Sequence, residues 1–274
     1  MGLILKSAHF LMKVAGIPTR TQWRKGVLLR HIDRQGLGLE IGPCHRPIAP
    51  RREGFRVKIL DCVDRAGLVE KYRGHDIDTS CLEEVDYVWK GESYPEIVGG
   101  TDVFDWIISS HTIEHVPDMV GFLKGCRDVL KVGGVLSLAV PDMRYTFDHR
   151  RAPSSLGAVI DAHLRGDAQP TPGAVAEFEL QVAKRGGKSS WSRVSWAHYA
   201  ASVLDNSPEE VRRRHEARMK DPEYVDVHVW TFTRDTFLAI FEALRALGIL
   251  DGFEIIAKPI SRCDEFLLAL RRVA

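Results

Sequence analysis

The sequence predicts an α/β fold: a mostly parallel sheet with helices on both faces. Three observations carry that prediction. Short apolar runs rich in β-branched residues recur through the first half of the chain, most of them bounded by Gly, Pro or Asp. Such runs suit parallel strands buried on both faces. Apolar residues at helix spacing lie between them, and repeated strand–helix–strand units imply right-handed crossovers. The chain closes with a capped amphipathic helix followed by two more strand-like runs.

In chain order, Met1 to Gly16 is apolar but interrupted by Lys6 and Lys13, and it is too short to span a bilayer. We read residues 1–35 as an amino-terminal helical segment packed on the domain. Membrane-surface contact through residues 1–16 is the weaker reading, because the segment has few basic residues. Gly36 to Ile41 reads as a buried strand that breaks at Gly42-Pro43, and Arg56 to Leu60 as a second ending on Asp61. Val85 to Trp89, Phe104 to Ser109 and Gly134 to Val140 follow as third, fourth and fifth strands. After Pro117-Asp118, the residues Val120, Leu123, Cys126 and Leu130 recur at helix spacing up to Gly133-Gly134. Thr233 can cap a helix carrying Phe237, Phe241, Leu244 and Leu247 on one stripe, with Gly248 at its end. Gly252 to Ala257 and Glu265 to Leu270 then form a closing hairpin that puts one antiparallel strand into the sheet.

These elements divide the chain into 1–35, a ligand-binding core over 36–141, a mostly helical insertion over 142–232, and 233–274 completing the core. The insertion shows no clear strand, and it leaves the carboxyl edge of the sheet, where open α/β folds bind ligands. We therefore expect it to recognise substrate. The 274 residues are 45% hydrophobic and 27% charged, ordinary for a globular chain. The net charge of +1 gives no global reason to expect nucleic acid. Cys44, Cys62, Cys81, Cys126 and Cys263 are odd in number and scattered, which fits neither a disulfide framework nor a zinc knuckle. A reducing cytoplasm suits them.

The chemistry begins at Leu39-Glu-Ile-Gly-Pro-Cys-His-Arg-Pro, a strand running into a glycine turn with Glu40 two places before Gly42. Glycine lets backbone approach a ligand closely, and the carboxylate can accept from an ammonium or hydroxyl donor. Asp61 comes 21 residues after Glu40, near the spacing of roughly 20 at which an acidic residue grips a nucleoside ribose.

Three segments, in order, resemble the class I S-adenosylmethionine-dependent methyltransferases of the methyltransferase domain 11/23 kind. Glu40-Ile-Gly42-Pro-Cys44 resembles their first motif, E/D-x-G-x-G-x-G. Phe104 to Asp118 resembles their fourth strand and the turn after it. Leu130-Lys-Val-Gly-Gly to Pro141 resembles the segment through their fifth strand. The resemblance covers residues 36 to 142 plus the terminal helix and hairpin. It implies a Rossmann-like fold with a seven-stranded sheet and S-adenosylmethionine as cofactor. By the same resemblance Glu40, Gly42 and Pro43 would meet the methionine end, Asp61 the ribose, Glu92 the adenine border, and Ser110 and His111 the floor near the sulfonium. The chain departs at Cys44 and Arg46, which stand where the family's second and third glycines would be.

Methyl transfer needs placement more than machinery, but a hydroxyl acceptor also needs a base. Asp142, His228 and His111 are the candidates. Arg144, Tyr145, His198 and Trp230 are candidate acceptor contacts, and Trp191, Trp196, Tyr199 and Phe232 add aromatic surface. His111-Thr-Ile-Glu114-His115 spells an inverted zincin signature, but it straddles a strand end instead of sitting on a helix. Glu114, His115 and a late histidine could hold a divalent ion. We read Glu114-His115 as shaping the pocket and expect no metal. The basic run Arg212 to His215, with Arg218 and Lys220, is either a solvated face or a dock for an anionic acceptor.

The leading expectation is O-methylation of a sugar or related polar small molecule, with nucleotide- and lipid-linked forms among the candidate acceptors. The phrases Pro141-Asp-Met-Arg-Tyr-Thr-Phe-Asp148 and His228-Val-Trp-Thr-Phe232 resemble those of bacterial enzymes associated with surface glycans. The alternatives are an aromatic or natural-product acceptor and a non-catalytic cofactor-binding regulator, the latter suggested by the missing glycines. A nicotinamide oxidoreductase ranks last, because the Gly42 loop lacks the pyrophosphate-binding glycines.

Overall fold

The structure is a computed structural model and describes residues 18–74, 77–185, 188–189, 202–221, 224–262 and 264–274. The apolar segment at residues 1–16, Trp191, Trp196, His198, Tyr199 and Cys263 lie outside the described residues. Among the described residues no helix is long and apolar enough to cross a membrane.

The first described helix, α1 (Arg20–Leu28), opens on a capping box in which Thr19 and Gln22 satisfy each other's backbone amides. There follow β1 (Gly38–Ile41), β2 (Val57–Asp61), α2 (Arg65–Lys71), β3 (Tyr87–Val88), α3 (Tyr94–Val98), β4 (Phe104–Ser110), α4 (Met119–Val129) and β5 (Leu130–Pro141). Three helices come next, α5 (Leu156–Arg165), α6 (Pro172–Gln181) and α7 (Pro208–Lys220), with β6 (Ala183–Arg185), β7 (Lys188–Ser189) and β8 (Val203–Leu204) among them. The chain ends with α8 (Arg234–Ala246), β9 (Phe253–Ile255), β10 (Ile260–Arg262) and β11 (Glu265–Arg272).

The main sheet runs β10-β11-β5-β4-β1-β2-β3, with β9 also paired to β11. β1 to β5 pair in parallel, and β11 lies antiparallel to β5. The sheet holds one strand more than the resemblance implies, because the edge beyond β11 is shared by two short strands, β9 and β10. From β1 the chain moves outward to β2 and β3, then returns to the other side for β4 and β5. The carboxyl ends of β1 and β4 therefore flank the reversal in strand order, the crevice where such sheets take ligands.

Side chains alternate across the sheet and are buried on both faces. Leu39, Ile41, Ile107, Leu136 and Leu138 meet α4 and the Phe237, Phe241 and Leu244 stripe of α8. Ile59, Trp106, Ile108, Val135 and Ala139 face Leu28 of α1 and Phe55 on the other side. Gly38 makes room for the fully buried Trp106, since a Cβ there would lie 2.1 Å from the indole ring.

Two boundaries differ from expectation. The Gly133-Gly134 pair does not end α4. The helix passes directly into β5 at Leu130, and the pair sits in a register shift against β4. Within residues 142–232, β6, β7 and β8 form a small antiparallel sheet that the sequence did not announce, because Ala183-Lys-Arg185 is too short and mixed to show a period. Arg214 and Arg218 of α7 grip Glu179 of α6 at 3.1 and 2.7 Å, and Arg212 reaches Glu216 at 3.6 Å. Much of the basic run thus fastens α7 to its neighbour and to itself.

Candidate active site

Glu40 stands at the end of β1 with its side chain enclosed. Its two carboxylate oxygens accept from the backbone amides of Ile48 and Ala49 at 2.6 and 3.0 Å. That carboxylate ties down the Gly42–Pro50 loop, so both its oxygens are occupied from within the chain. Burial, partly offset by these two amides, pushes its carboxyl up to about 7. The loop itself turns sharply. Gly42 has φ 62°, Cys44 has φ 49°, and the Pro43 carbonyl accepts from Arg46 N–H. A Cβ at Gly42 would meet Thr112 Oγ1 at 3.0 Å, so the β1 and β4 turns touch here.

A folded-state pKa above the ordinary carboxylate value makes the native state hold the proton more tightly than the unfolded chain. Glu40 therefore contributes stability that is fully present below about pH 4.5 and is lost as pH rises to about 7, roughly 3 kcal/mol across that window. Glu40→Gln lacks this dependence. The stability gap between wild type and variant should narrow by that amount between pH 4.5 and pH 7.5 in urea titrations, and a gap independent of pH would contradict it.

Asp61 ends β2 and is almost fully enclosed. Its Oδ1 accepts from Cys62 N–H at 2.8 Å, while Oδ2 is buried with no hydrogen-bond partner among the described residues. Burial pushes its carboxyl up. A buried acceptor left open at the switch point is chemically suited to a ligand hydroxyl. The expected adenine-side acceptor, Glu92, is instead exposed and caps its own loop through Lys90 N–H at 2.8 Å.

Ser110, the last residue of β4, and His111 after it belong to a polar network that joins α1 to β11. Arg24 bonds Ser110 Oγ and both oxygens of Glu265, and His111 Nε2 lies 3.0 Å from Glu265 Oε2. Burial would raise Glu265, but the hydrogen bond to His111 and the Arg24 charge outweigh it and hold the carboxyl below the usual range. His111 takes a left-handed φ of 55°. Its Nδ1 faces Glu114 at 3.6 Å.

Asp142 follows β5 and caps the next turn. Its carboxylate receives Arg144 Nε and Nη2 at 2.9 and 2.6 Å, so base and acceptor contact, as read from sequence, are paired to each other. Tyr145 lies under the same guanidinium at 5.5 Å. Trp230 is buried, and its indole N–H donates to the Val116 carbonyl at 2.7 Å. One side of it edges a cleft of about 470 Å³ between α5, α6 and residues 229–231, which Pro117, Arg151, Asp161 and Arg165 also line.

His228 belongs to a different constellation. Its Nδ1 lies 2.5 Å from Asp148 Oδ2, its Nε2 points toward Glu114 Oε1 at 3.9 Å, and its ring meets His115 edge-on at 4.6 Å. His115 Nδ1 lies 2.8 Å from Asp226, which also pairs with Lys71 at 3.2 Å. The hydrogen bond from His115 holds Asp226 well below the usual carboxylate range. Lys71 and Asp226 both act electrostatically on Asp61, so the two groups of residues share one end of the sheet. Sequence reading singled out Asp61, Glu114, His115 and His228 but missed Lys71, Asp148 and Asp226. The only available signal was an acidic residue two places before His228 and another closing the 141–148 segment.

A family model described as a methyltransferase domain matches residues 96–138, from α3 through most of β5. No curated protein matches the sequence. A Rhodobacter sphaeroides structure described as a zinc-dependent alcohol dehydrogenase is 13% identical, with TM-score 0.50 over 94% of this chain and 91% of that one. An S-adenosylmethionine-dependent methyltransferase from Mesorhizobium loti is 16% identical, with TM-score 0.44 over 92% and 98%. The Burkholderia thailandensis 1,6-didemethyltoxoflavin-N1-methyltransferase, solved with S-adenosylhomocysteine, is 12% identical, with TM-score 0.45 over 100% and 87%. Similarity at these identities is one of fold.

Proposed function

We propose that the chain is a class I S-adenosylmethionine-dependent methyltransferase whose acceptor is a hydroxyl oxygen of a sugar or related polar small molecule. The observation that carries the acceptor class is the chemistry around the carboxyl end of the sheet. Asp61, Glu114, Asp226, His115, His228 and Lys71 crowd together there. An aromatic acceptor calls for a dry, aromatic pocket with few carboxylates.

S-Adenosylmethionine supplies an activated methyl group on sulfur, so the protein's task is alignment. The residues present fit it. The buried, unpartnered Asp61 Oδ2 would receive a ribose hydroxyl. Gly42 and the Pro43–Arg46 turn would offer backbone to the methionine end, with Glu40 holding that loop from behind rather than touching the ligand. Ser110 and His111 would sit beneath, anchored through Arg24 and Glu265. The acceptor hydroxyl would lie toward the Glu114, His115 and His228 group, since Asp142 is already paired with Arg144. The cytoplasm suits the four described cysteines, all free.

The test is methyl transfer from tritium-labelled S-adenosylmethionine to parallel panels of sugars, nucleotide-sugars and phenols. Label in polyhydroxylated acceptors is the expected result. Label confined to phenols would overturn the acceptor class. Tight cofactor binding with no transfer to either panel would favour a regulatory protein.

A further inference from the structure

The Glu114 carboxylate is fully enclosed, and neither of its oxygens has a hydrogen-bond partner among the described residues. An enclosed carboxylate with no donor is costly, and folded proteins keep one where something else satisfies it. Oε1 lies 3.6 Å from His111 Nδ1 and 3.9 Å from His228 Nε2, both beyond hydrogen-bond reach.

Each neighbouring imidazole has a carboxylate near its Nδ1, as a hydrogen bond at His228 and as an ion-pair contact at His115. His115 Nδ1 lies 2.8 Å from Asp226 Oδ1, and His228 Nδ1 lies 2.5 Å from Asp148 Oδ2. A carboxylate on Nδ1 fixes the tautomer with the proton there and leaves Nε2 with its lone pair. Asp148 is itself held by Arg151 at 3.0 Å and by Thr146. One donor atom from each of Glu114, His115 and His228 lies within 4.8 Å of the others, close enough to share an ion. The backbone fastens the two segments together, because the Glu114 carbonyl accepts from Val229 and Trp230 N–H at 2.7 and 3.1 Å.

We propose that Glu114, His115 and His228 form a binding site for a divalent transition-metal ion, with Asp226 and Asp148 as the outer carboxylates that orient the histidines. Two imidazoles and one carboxylate suit Zn²⁺, Fe²⁺ or Co²⁺ better than the all-oxygen preference of Mg²⁺ or Ca²⁺. Three protein ligands leave coordination positions open. On the reading that the acceptor is a polar hydroxyl compound, those positions suit one carrying two adjacent oxygens, such as a vicinal diol or a hydroxy acid. The ion also explains the unsatisfied carboxylate, which pocket shaping by a Glu-His pair does not.

The test uses the full chain freed of metal by chelator dialysis. It is titrated with Co²⁺ by visible absorption and with Zn²⁺ by calorimetry, and S-adenosylmethionine binding is measured on the same samples. The expected result is one ion per chain with a d–d band typical of nitrogen and oxygen ligands. Glu114→Gln should lose the ion. Asp148→Asn should weaken it by about 10- to 100-fold, whereas His215→Ala on α7 should leave it unchanged. In metal-free protein Glu114→Gln should melt no lower than wild type, because it removes an unsatisfied buried carboxylate. That outcome separates lost binding from lost folding. Absence of saturable binding, or equal binding by wild type and Glu114→Gln, would overturn the site. Retained cofactor affinity in those samples would leave the methyltransferase reading standing without it.

Discussion

Asp61→Ala should weaken binding of both S-adenosylmethionine and S-adenosylhomocysteine by about 100-fold or more in calorimetric titrations. Hydrogen bonds to a charged acceptor contribute about 1.5–3 kcal/mol each, and a ribose offers two hydroxyls to one carboxylate. The structure provides an internal control for folding. Oδ2 is buried with no partner among the described residues, so losing it should cost the unliganded fold little, and losing the Oδ1 bond to the Cys62 amide only about 1 kcal/mol. Thermal melts without ligand should therefore stay close to wild type while the ligand-induced rise in Tm disappears. Asp61→Asn keeps one acceptor and should fall between the two. Burial already pushes this carboxyl up, and only the ionised form accepts from both hydroxyls. Wild-type affinity should thus decline as pH falls toward the raised value, and the alanine variant should show no such decline. Unchanged affinity in Asp61→Ala would mean that the ribose is not held at the end of β2.

The parts of this molecule that could be read from sequence are those whose environment imposes a period. β1, β2, β4 and β5 are buried on both faces, so they appear as continuous apolar runs, and α8 declares itself through Thr233 and a stripe of large apolar residues. Edge and surface elements carry a weaker imprint or none. β3, read from sequence at Val85 to Trp89, is only Tyr87–Val88, half-buried and paired on one side, and β6 to β8, which the sequence does not announce, are short and mixed in polarity. The site divides along the same line. Glu40, Asp61, Glu114 and His228 are visible because strand ends and turns concentrate chemistry. Their partners are fixed by tertiary structure alone. Nothing in the sequence reveals that Glu40 spends both oxygens on amides eight and nine residues later, or that Asp148 and Asp226 hold two histidines from different segments.

Arg151→Met should destabilise the protein by about 3–5 kcal/mol, the range for removing one partner of a buried ion pair. Its guanidinium is enclosed and joins three segments. It donates to Asp148 Oδ1 at 3.0 Å, to the His228 carbonyl at 2.7 Å and to the Val229 carbonyl at 3.3 Å. Losing it leaves Asp148 buried with less compensation and two carbonyls without donors, and methionine can replace only the packing against Phe178. Urea titration should report the loss, and a double-mutant cycle with Asp148→Asn should show coupling well above the few tenths of a kcal/mol expected of independent sites. A change under 1 kcal/mol, or strict additivity, would mean that the segments around residues 148 and 228–229 are held by packing alone. The chemical consequence follows from the same geometry. Asp148 orients His228, so a loosened Asp148 leaves that imidazole free to turn. Arg151→Met should therefore lower kcat more than it raises KM for the cofactor, because Asp61 and the Gly42 loop lie on strands that Arg151 does not touch.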